Sequence, residues 1–455
     1  MKNYDLTKGS ITKSIILFSI PLLIGNLFQQ LYNTVDSYVV GNYVNQYALA
    51  AVGASTPIIN ILIGFFMGIS TGAGVVIAQY YGAKDRINLK KAINNSLILT
   101  IIMGIILTAI GLSFTNGLLH LIGVPQKVFK LSSKYLSIYF SGILFTLIYN
   151  MSAGILRAVG DSKRPLLFLM FSSVINIILD FLFVKELKMG VSGVAIATLI
   201  SQFISAILVV YVLLRTKEVY QVKLKDIRFD QIIMKKIIQI GLPAGLQQGI
   251  IPLSNVIVQS YINPYGAFVI AGYSIGVRID GFVLLPLQAF NMAITTYVGQ
   301  NMGAKKYERV KKGAYLTWLI ATIIILVFIG LMYMFGISFI GLFNQDKEVI
   351  QAGWIMMSTF LPFYPLMVIN QVVTGVLRGK GDSKGAMYIT LLNFVILRQG
   401  YLYFITKLTN SLRSVFFAWP FTWISCVIMF FIYSIFNKRR KENYYESSNY
   451  FSNRK

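Results

Sequence analysis

The chain has 455 residues, of which 56% are hydrophobic and only 13% charged, and it carries a formal net charge of +25. Soluble domains hold about 25% charged residues, so an ordinary soluble fold is excluded. Apolar runs of about 20 residues recur along nearly the whole length, the pattern of a polytopic membrane protein.

The hydropathy pattern predicts about twelve spans. Six lie at 13–40, 49–80, 92–114, 131–156, 166–184 and 191–214, and six at 237–261, 268–298, 314–335, 349–377, 387–405 and 415–436. Span one contains FQQLYNTVDSYVVG, residues 28–41. There Gln29, Tyr32, Asn33 and Asp36 recur at i, i+3, i+4 and i+7 and form one polar stripe on a helix. A carboxylate near the bilayer centre costs about 2.5–3.5 kcal/mol on insertion scales, so it faces a cavity or a partner and is a functional candidate. Pro21 precedes the stripe and predicts a kink, either static or changing with protonation. In span two, Gly64, Gly68 and Gly72 repeat at four-residue spacing and are expected to admit a closely packed helix.

Span five places Asn176 and Asp180 one turn apart on one face, and span six does the same with Thr198 and Gln202. Of sixteen acidic residues, only Asp36, Asp180 and Asp280 fall well inside spans. Arg278 is two residues from Asp280, on an opposed helix face. Arg398 of span eleven is therefore the better candidate for a buried ion pair with Asp280. Structural and gating roles both remain open for Pro21, Arg278, Asp280 and Arg398. The single cysteine, Cys426, excludes an internal disulfide framework and reads as a packing residue, and the single histidine, His120, argues against a histidine-based metal site.

Lys and Arg alternate between dense and sparse connections. The N-terminus, the loops at 82–91, 157–164, 215–236, 301–312 and 378–385, and the C-terminal tail hold 31 of the 41, and the intervening loops hold eight. The positive-inside rule then places both termini in the cytoplasm. Basic clusters of this kind fit an anionic leaflet rather than a nucleic-acid partner.

The chain repeats itself. QYYGAK from Gln79 recurs as QNMGAK from Gln300, and LRAVGDSK from Leu156 recurs as LRGKGDSK from Leu377, both 221 residues on. Both copies of each motif fall in basic loops, so the halves share one orientation, as in a parallel repeat whose axis follows the membrane normal. The expected fold is an all-α membrane bundle of two six-helix lobes, 1–214 and 237–436, with a cytoplasmic linker at 215–236 and a basic tail at 437–455. The acids are not repeated: at that offset Asn176 meets Leu397, Asp180 meets Tyr401 and Asp36 meets Ile257. Gly379-Lys380-Gly381-Asp382 matches the GxGD pattern of intramembrane aspartyl proteases, but both loop copies read as a helix-ending turn followed by a helix start. No GxxxxGK[ST] loop is present, so ATP-driven pumping is unsupported.

Asp36 within YNTVDSYVVG, NIILD ending at Asp180, GVAIATLISQ around Thr198 and the paired LR-x-x-GDSK loops resemble the multidrug and toxic compound extrusion (MATE) transporters, from about Lys8 to Phe436. That resemblance implies a monomeric secondary antiporter of the cell membrane, without cofactor, that exports cationic amphipathic compounds in exchange for H⁺ or Na⁺. Asp36, Asn176, Asp180 and Thr198 match the family's N-lobe cation site. Some members also have an acid in span seven, where this chain has Gln247 and Gln248 instead, which points to coupling through the N-lobe alone. Two other readings are a lipid-linked precursor flippase of the same superfamily and a membrane-embedded enzyme. A polyanionic lipid precursor would call for several cavity cations, and only Arg278 and Arg398 lie within spans.

Overall fold

In a computed structural model, residues 4–452 are described, with side chains through Phe436. The basic tail expected at 437–455 lies outside the described side chains. Every regular element among the described residues is helical. The first half comprises α1 (Ile11–Tyr43), α2 (Gln46–Gly82), α3 (Arg86–Leu121), α4 (Gln126–Ala158), α5 (Lys163–Asp180) and α6 (Val191–Arg215). The second comprises α7 (Gln231–Ile262), α8 (Ala267–Gly303), α9 (Tyr307–Gly341), α10 (Lys347–Phe360), α11 (Tyr364–Gly379), α12 (Ser383–Leu391), α13 (Arg398–Leu408), α14 (Leu412–Phe416) and α15 (Ala418–Ser452). Eleven of the resulting segments are long and apolar enough to span a bilayer. The twelfth, α7, is nearly as long as its counterpart α1 but is interrupted by Gln239, Gln247 and Gln248.

Helix starts follow side-chain chemistry. Asn45, Asp85 and Asp230 each accept a backbone N–H three residues on, from Ala48, Asn88 and Ile233 at 2.8, 3.0 and 3.0 Å. Predicted span ten is divided: α10 passes through a 3₁₀ turn, Leu361–Phe363, into α11, because Pro362 and Pro365 lack the N–H groups a continuous helix needs. Two spans carry a π turn, Phe181–Glu186 directly after Asp180 and Leu392–Leu397 directly before Arg398. Helix α1, by contrast, runs unbroken through Pro21.

The apolar core divides into two principal clusters, one drawn from residues 39–240 and one mainly from 258–423. The division is crossed at the basic end of the bundle. Leu6, Ile15, Phe18 and Leu22 join the second cluster, and Ile233, Met234, Ile237 and Ile240 of α7 join the first. There α2 and α7 meet backbone to backbone. A Cβ on Gly68 would lie 2.3 Å from the Gly245 nitrogen, and one on Gly72 would lie 2.3 Å from the Gly241 Cα. The GxxxG spacing thus serves contact inside the bundle.

The duplicated loop motifs bind one another. Gln79 Nε2 donates to the Gly379 carbonyl at 3.1 Å, and Gln300 Nε2 donates to the Ala158 carbonyl at 2.8 Å. Each glutamine belongs to one half and its acceptor to the other. Gly82 and Gly303 fit beneath them, where an added Cβ would sit 1.9 and 1.8 Å from the Gln300 and Gln79 carbonyl oxygens. The N-terminal strap closes over this junction: Leu6 N–H donates to Gln300 Oε1 at 3.2 Å, and Lys306 Nζ donates to the Thr7 carbonyl at 2.8 Å. The GDSK loops are turns, with Gly160 and Gly381 at φ +91° and +88°. Their aspartates accept from the backbone of Arg164 and Gly385, which accounts for the GxGD match without catalysis.

The linker is held in place rather than free. Asn94 Nδ2 donates to the Asp226 carbonyl at 2.9 Å, and Lys91 pairs with Asp230 at 2.8 Å. The Lys91 hydrogen bond keeps the Asp230 carboxyl below the usual carboxylate range.

Gly303→Ala should destabilise the protein by about 1–3 kcal/mol, the usual cost of overpacking. Gly74→Ala, whose Cβ would meet its nearest neighbour at 3.8 Å, should leave thermal unfolding in detergent close to that of the parent.

Candidate functional site

The polar stripe of α1 is graded in exposure. Gln29 and Asn33 are exposed, Tyr32 is half-buried and Asp36 is buried. Helix α1 packs against α5, and this brings Asp36 beside Asp180, their carboxyl groups within hydrogen-bonding reach of each other. Asn176 lies one turn before Asp180 and is likewise buried. Thr198, on α6, is buried too. The π turn after Asp180 widens the helix where this cluster forms, a deviation often found at functional sites.

The acceptors of this cluster are unsatisfied. Asp36 Oδ1, both oxygens of Asp180, Asn176 Oδ1, Thr198 Oγ1 and Gln202 Oε1 are buried and have no hydrogen-bond partner in the protein. Neither carboxylate forms an ion pair among the described residues. Buried polar groups are normally hydrogen-bonded, and an unpaired buried carboxylate is costlier than any of them. Two adjoining carboxylates repel unless a proton or a cation lies between them. The adjoining carboxylates of Asp36 and Asp180 suit a proton or a hard cation such as Na⁺.

Sequence reasoning missed two members. Tyr135 of α4 interacts with both Asp36 and Asp180, and Tyr139, one turn on, lies with Tyr32 and Tyr135 beside them. Their i, i+4 spacing in span four was the available signal. Among the predicted residues, Asp36, Asn176, Asp180, Thr198 and Gln202 contribute buried unpartnered atoms, whereas Gln29 and Asn33 lie outside the buried cluster on its exposed approach.

The second half departs from expectation. The anticipated Asp280–Arg398 ion pair does not form. Asp280 instead accepts the Tyr364 hydroxyl at 2.6 Å, because α8 turns it toward α11. Arg398 is drawn toward α7, where its Nη1 donates to Asn255 Oδ1 at 2.9 Å. Arg278 is exposed on another face of α8. Gln247, where an acid was considered, bridges Arg378 and Thr390 at 2.6 Å each. Asn393 accepts the Ser425 hydroxyl nearby. Cys426 is buried, as its packing role requires.

A family model described as MatE matches residues 21–182 and again 243–404. The second stretch begins 222 residues after the first, within a residue of the spacing between the duplicated loop motifs. The chain is 31% identical over 404 residues to the probable multidrug resistance protein YpnP of Bacillus subtilis (strain 168), covering 88% of this chain and 89% of that protein. It is 24% identical to the multidrug export protein MepA of Staphylococcus aureus (strain NCTC 8325 / PS 47), covering 87% of each. Among solved structures, it matches an outward-facing multidrug resistance MATE family transporter of the MOP superfamily. The TM-score is 0.89 at 25% identity, over 97% of this chain and 98% of that one. A MATE crystal structure in a bent conformation matches with a TM-score of 0.89 at 26% identity, covering 96% and 98%.

Replacing Asp180 by Asn removes one of two adjoining carboxyl groups, which share a proton in the absence of a cation. In sodium-free buffer the unfolding temperature of the parent should fall as the pH is raised and that proton is lost, and the variant should lose much of this fall. An unchanged pH dependence in the variant would mean that the two carboxyls do not share a proton.

Proposed function

The chain belongs to the MATE family of membrane transporters, and on that premise we propose that it is a secondary antiporter that exports cationic amphipathic compounds in exchange for H⁺ or Na⁺. The observation that carries this reading is the approach of Asp36 to Asp180, whose buried carboxylate oxygens have no partner in the protein. A proton, a sodium ion and an organic cation all compensate the same negative charge. Each therefore lowers the affinity for the others, and that competition is the coupling.

Alternating access would rock the lobe at residues 1–214 against the lobe at 237–436. The junction made by Gln79, Gln300 and the packed glycines supports a state closed at its basic end, and inward opening would break those bonds. The 31-to-eight distribution of basic residues supports a cytoplasmic location for that end and for both termini. A cell-membrane monomer is sufficient for this scheme. Ion coupling rests on the first lobe, because Leu397 and Tyr401 stand where Asn176 and Asp180 would repeat. Tyr401 donates its hydroxyl to the Ser414 carbonyl at 2.9 Å, a structural bond.

Proteoliposomes containing the purified protein and loaded with ethidium distinguish the coupling ions when H⁺ and Na⁺ gradients are imposed separately. The parent should accumulate ethidium uphill with one gradient, and Asp36→Asn and Asp180→Asn should abolish that accumulation. Tyr401→Phe should affect it far less. Uphill transport by Asp36→Asn at the parent rate would remove Asp36 from the coupling site.

Topology is tested separately. In a Cys426→Ala background, a cysteine placed in the 215–236 linker should resist an impermeant thiol reagent applied to intact cells and react after permeabilisation. Labelling in intact cells would invert the orientation.

A further inference from the structure

The two halves place opposite charges at corresponding depths of the duplicated scaffold. Asn176 and Asp180 stand beside one π turn, and Arg398 stands beside the other, one residue past the repeat counterpart of Asn176. Arg398 is completely buried. Its Nη1 donates to Asn255 Oδ1 at 2.9 Å and lies 3.4 Å from Ser254 Oγ. The guanidinium carbon lies 4.3 Å from the Trp419 ring centroid and 5.2 Å from that of Phe394. Among the described residues no carboxylate pairs with it, Asp280 being bound to Tyr364.

The unsatisfied atoms of Arg398 are Nε and Nη2. In a guanidinium, Nη1 lies on the Cδ side, so Nε and Nη2 share the opposite edge and their N–H bonds run parallel. This is the edge that grips a carboxylate side-on through two charge-assisted hydrogen bonds. A buried, unpaired guanidinium is strongly destabilised, and an anionic partner relieves that cost. The flanking Trp419 and Phe394 favour an anion carried on a flat organic body over a small inorganic ion. Gln399, the next residue, is partly exposed, bound through Nε2 to Ser254 Oγ at 3.0 Å and with its own Oε1 unpartnered.

We propose that the Nε–Nη2 edge of Arg398 receives a carboxylate carried by a transported aromatic amphiphile, so that the second half admits zwitterionic compounds as well as pure cations. The inference rests on the transport reading above and extends it to a substrate class. The acidic cluster of the first half recognises positive charge, and Arg398 supplies the complementary contact for molecules bearing both signs.

Rhodamine B, a flat cation bearing a free carboxylate, and its ethyl ester, which lacks that carboxylate, form a matched pair of probes. Binding of each to the purified full-length protein is read by fluorescence polarisation, independently of any ion gradient. In Arg398→Gln the affinity for rhodamine B relative to the ester should fall roughly 10- to 100-fold, the range expected for lost hydrogen bonds to a charged group. Arg398→Lys, which keeps the charge without the fork, should recover only part of that ratio. An unchanged ratio, or equal losses for both dyes, would overturn the proposal. Should Arg398→Gln fail to fold, the parent protein still decides. Benzoate should displace rhodamine B and spare the ester, and chloride at equal ionic strength should displace neither. Displacement of rhodamine B by chloride would assign the edge to an inorganic anion and overturn the proposal. Failure of the parent to export the ester in proteoliposomes would count against the transport reading alone, because the binding ratio is measured without transport.

Discussion

The reciprocal hydrogen bonds that Gln79 and Gln300 each donate across the two halves are the constraint on which the two-lobed arrangement depends. Each amide donates to the last helical turn of the opposite half, at Gly379 and Ala158. Those turns end in glycines at positive φ, so the chain can reverse there without strain. Gly82 and Gly303 leave no room for a side chain beneath the bonds. Within a bilayer interior, hydrophobicity alone does not press two helical bundles together, because lipid tails are as apolar as leucine. Close backbone packing and interhelical hydrogen bonds supply the association instead. The same bonds make a junction that can be broken and remade as a unit.

Above that junction the halves diverge in chemistry while keeping one scaffold. The first half gathers two carboxylates and several neutral oxygens with no protein partner for much of their hydrogen-bonding capacity. The second buries a guanidinium covered by Trp419. Gene duplication accounts for the shared helices and loops, but nothing in packing requires opposite charges at related positions. Buried charge is costly in both halves, and each half holds buried charged atoms with no hydrogen-bond partner in the protein. Helix irregularity accompanies both sites: a π turn adjoins Asp180 and another adjoins Arg398. A π turn releases backbone groups from the regular ladder and rotates the side chains beyond it. Arg398 lies beyond such a turn, whereas Asp180 immediately precedes one.

Much of this was legible in the linear chain, for local reasons. Hydropathy and length specify spans because the bilayer acts on each segment separately. The duplicated QxxGAK and GDSK motifs disclose the repeat, because turns and caps use fixed residue chemistry. Asp36, Asp180, Asn176 and Thr198 stand out because a polar group in an apolar span carries its own cost wherever its partner lies. Even the pairing within α5 and within α6 follows from the helical period alone.

What only the tertiary structure decided is which of these groups meet. Asp36 and Asp180 are distant in sequence, and their contact depends on how α1 and α5 rotate against each other. Tyr135 joins them through the rotation of α4. The expected Asp280–Arg398 pair failed for the same reason: α8 directs Asp280 to Tyr364, and Arg398 faces α7. Periodicity defines the faces of a helix but not the neighbour each face receives. That choice is made by the packed glycines, the prolines that divide a span and the π turns, acting together across the whole bundle.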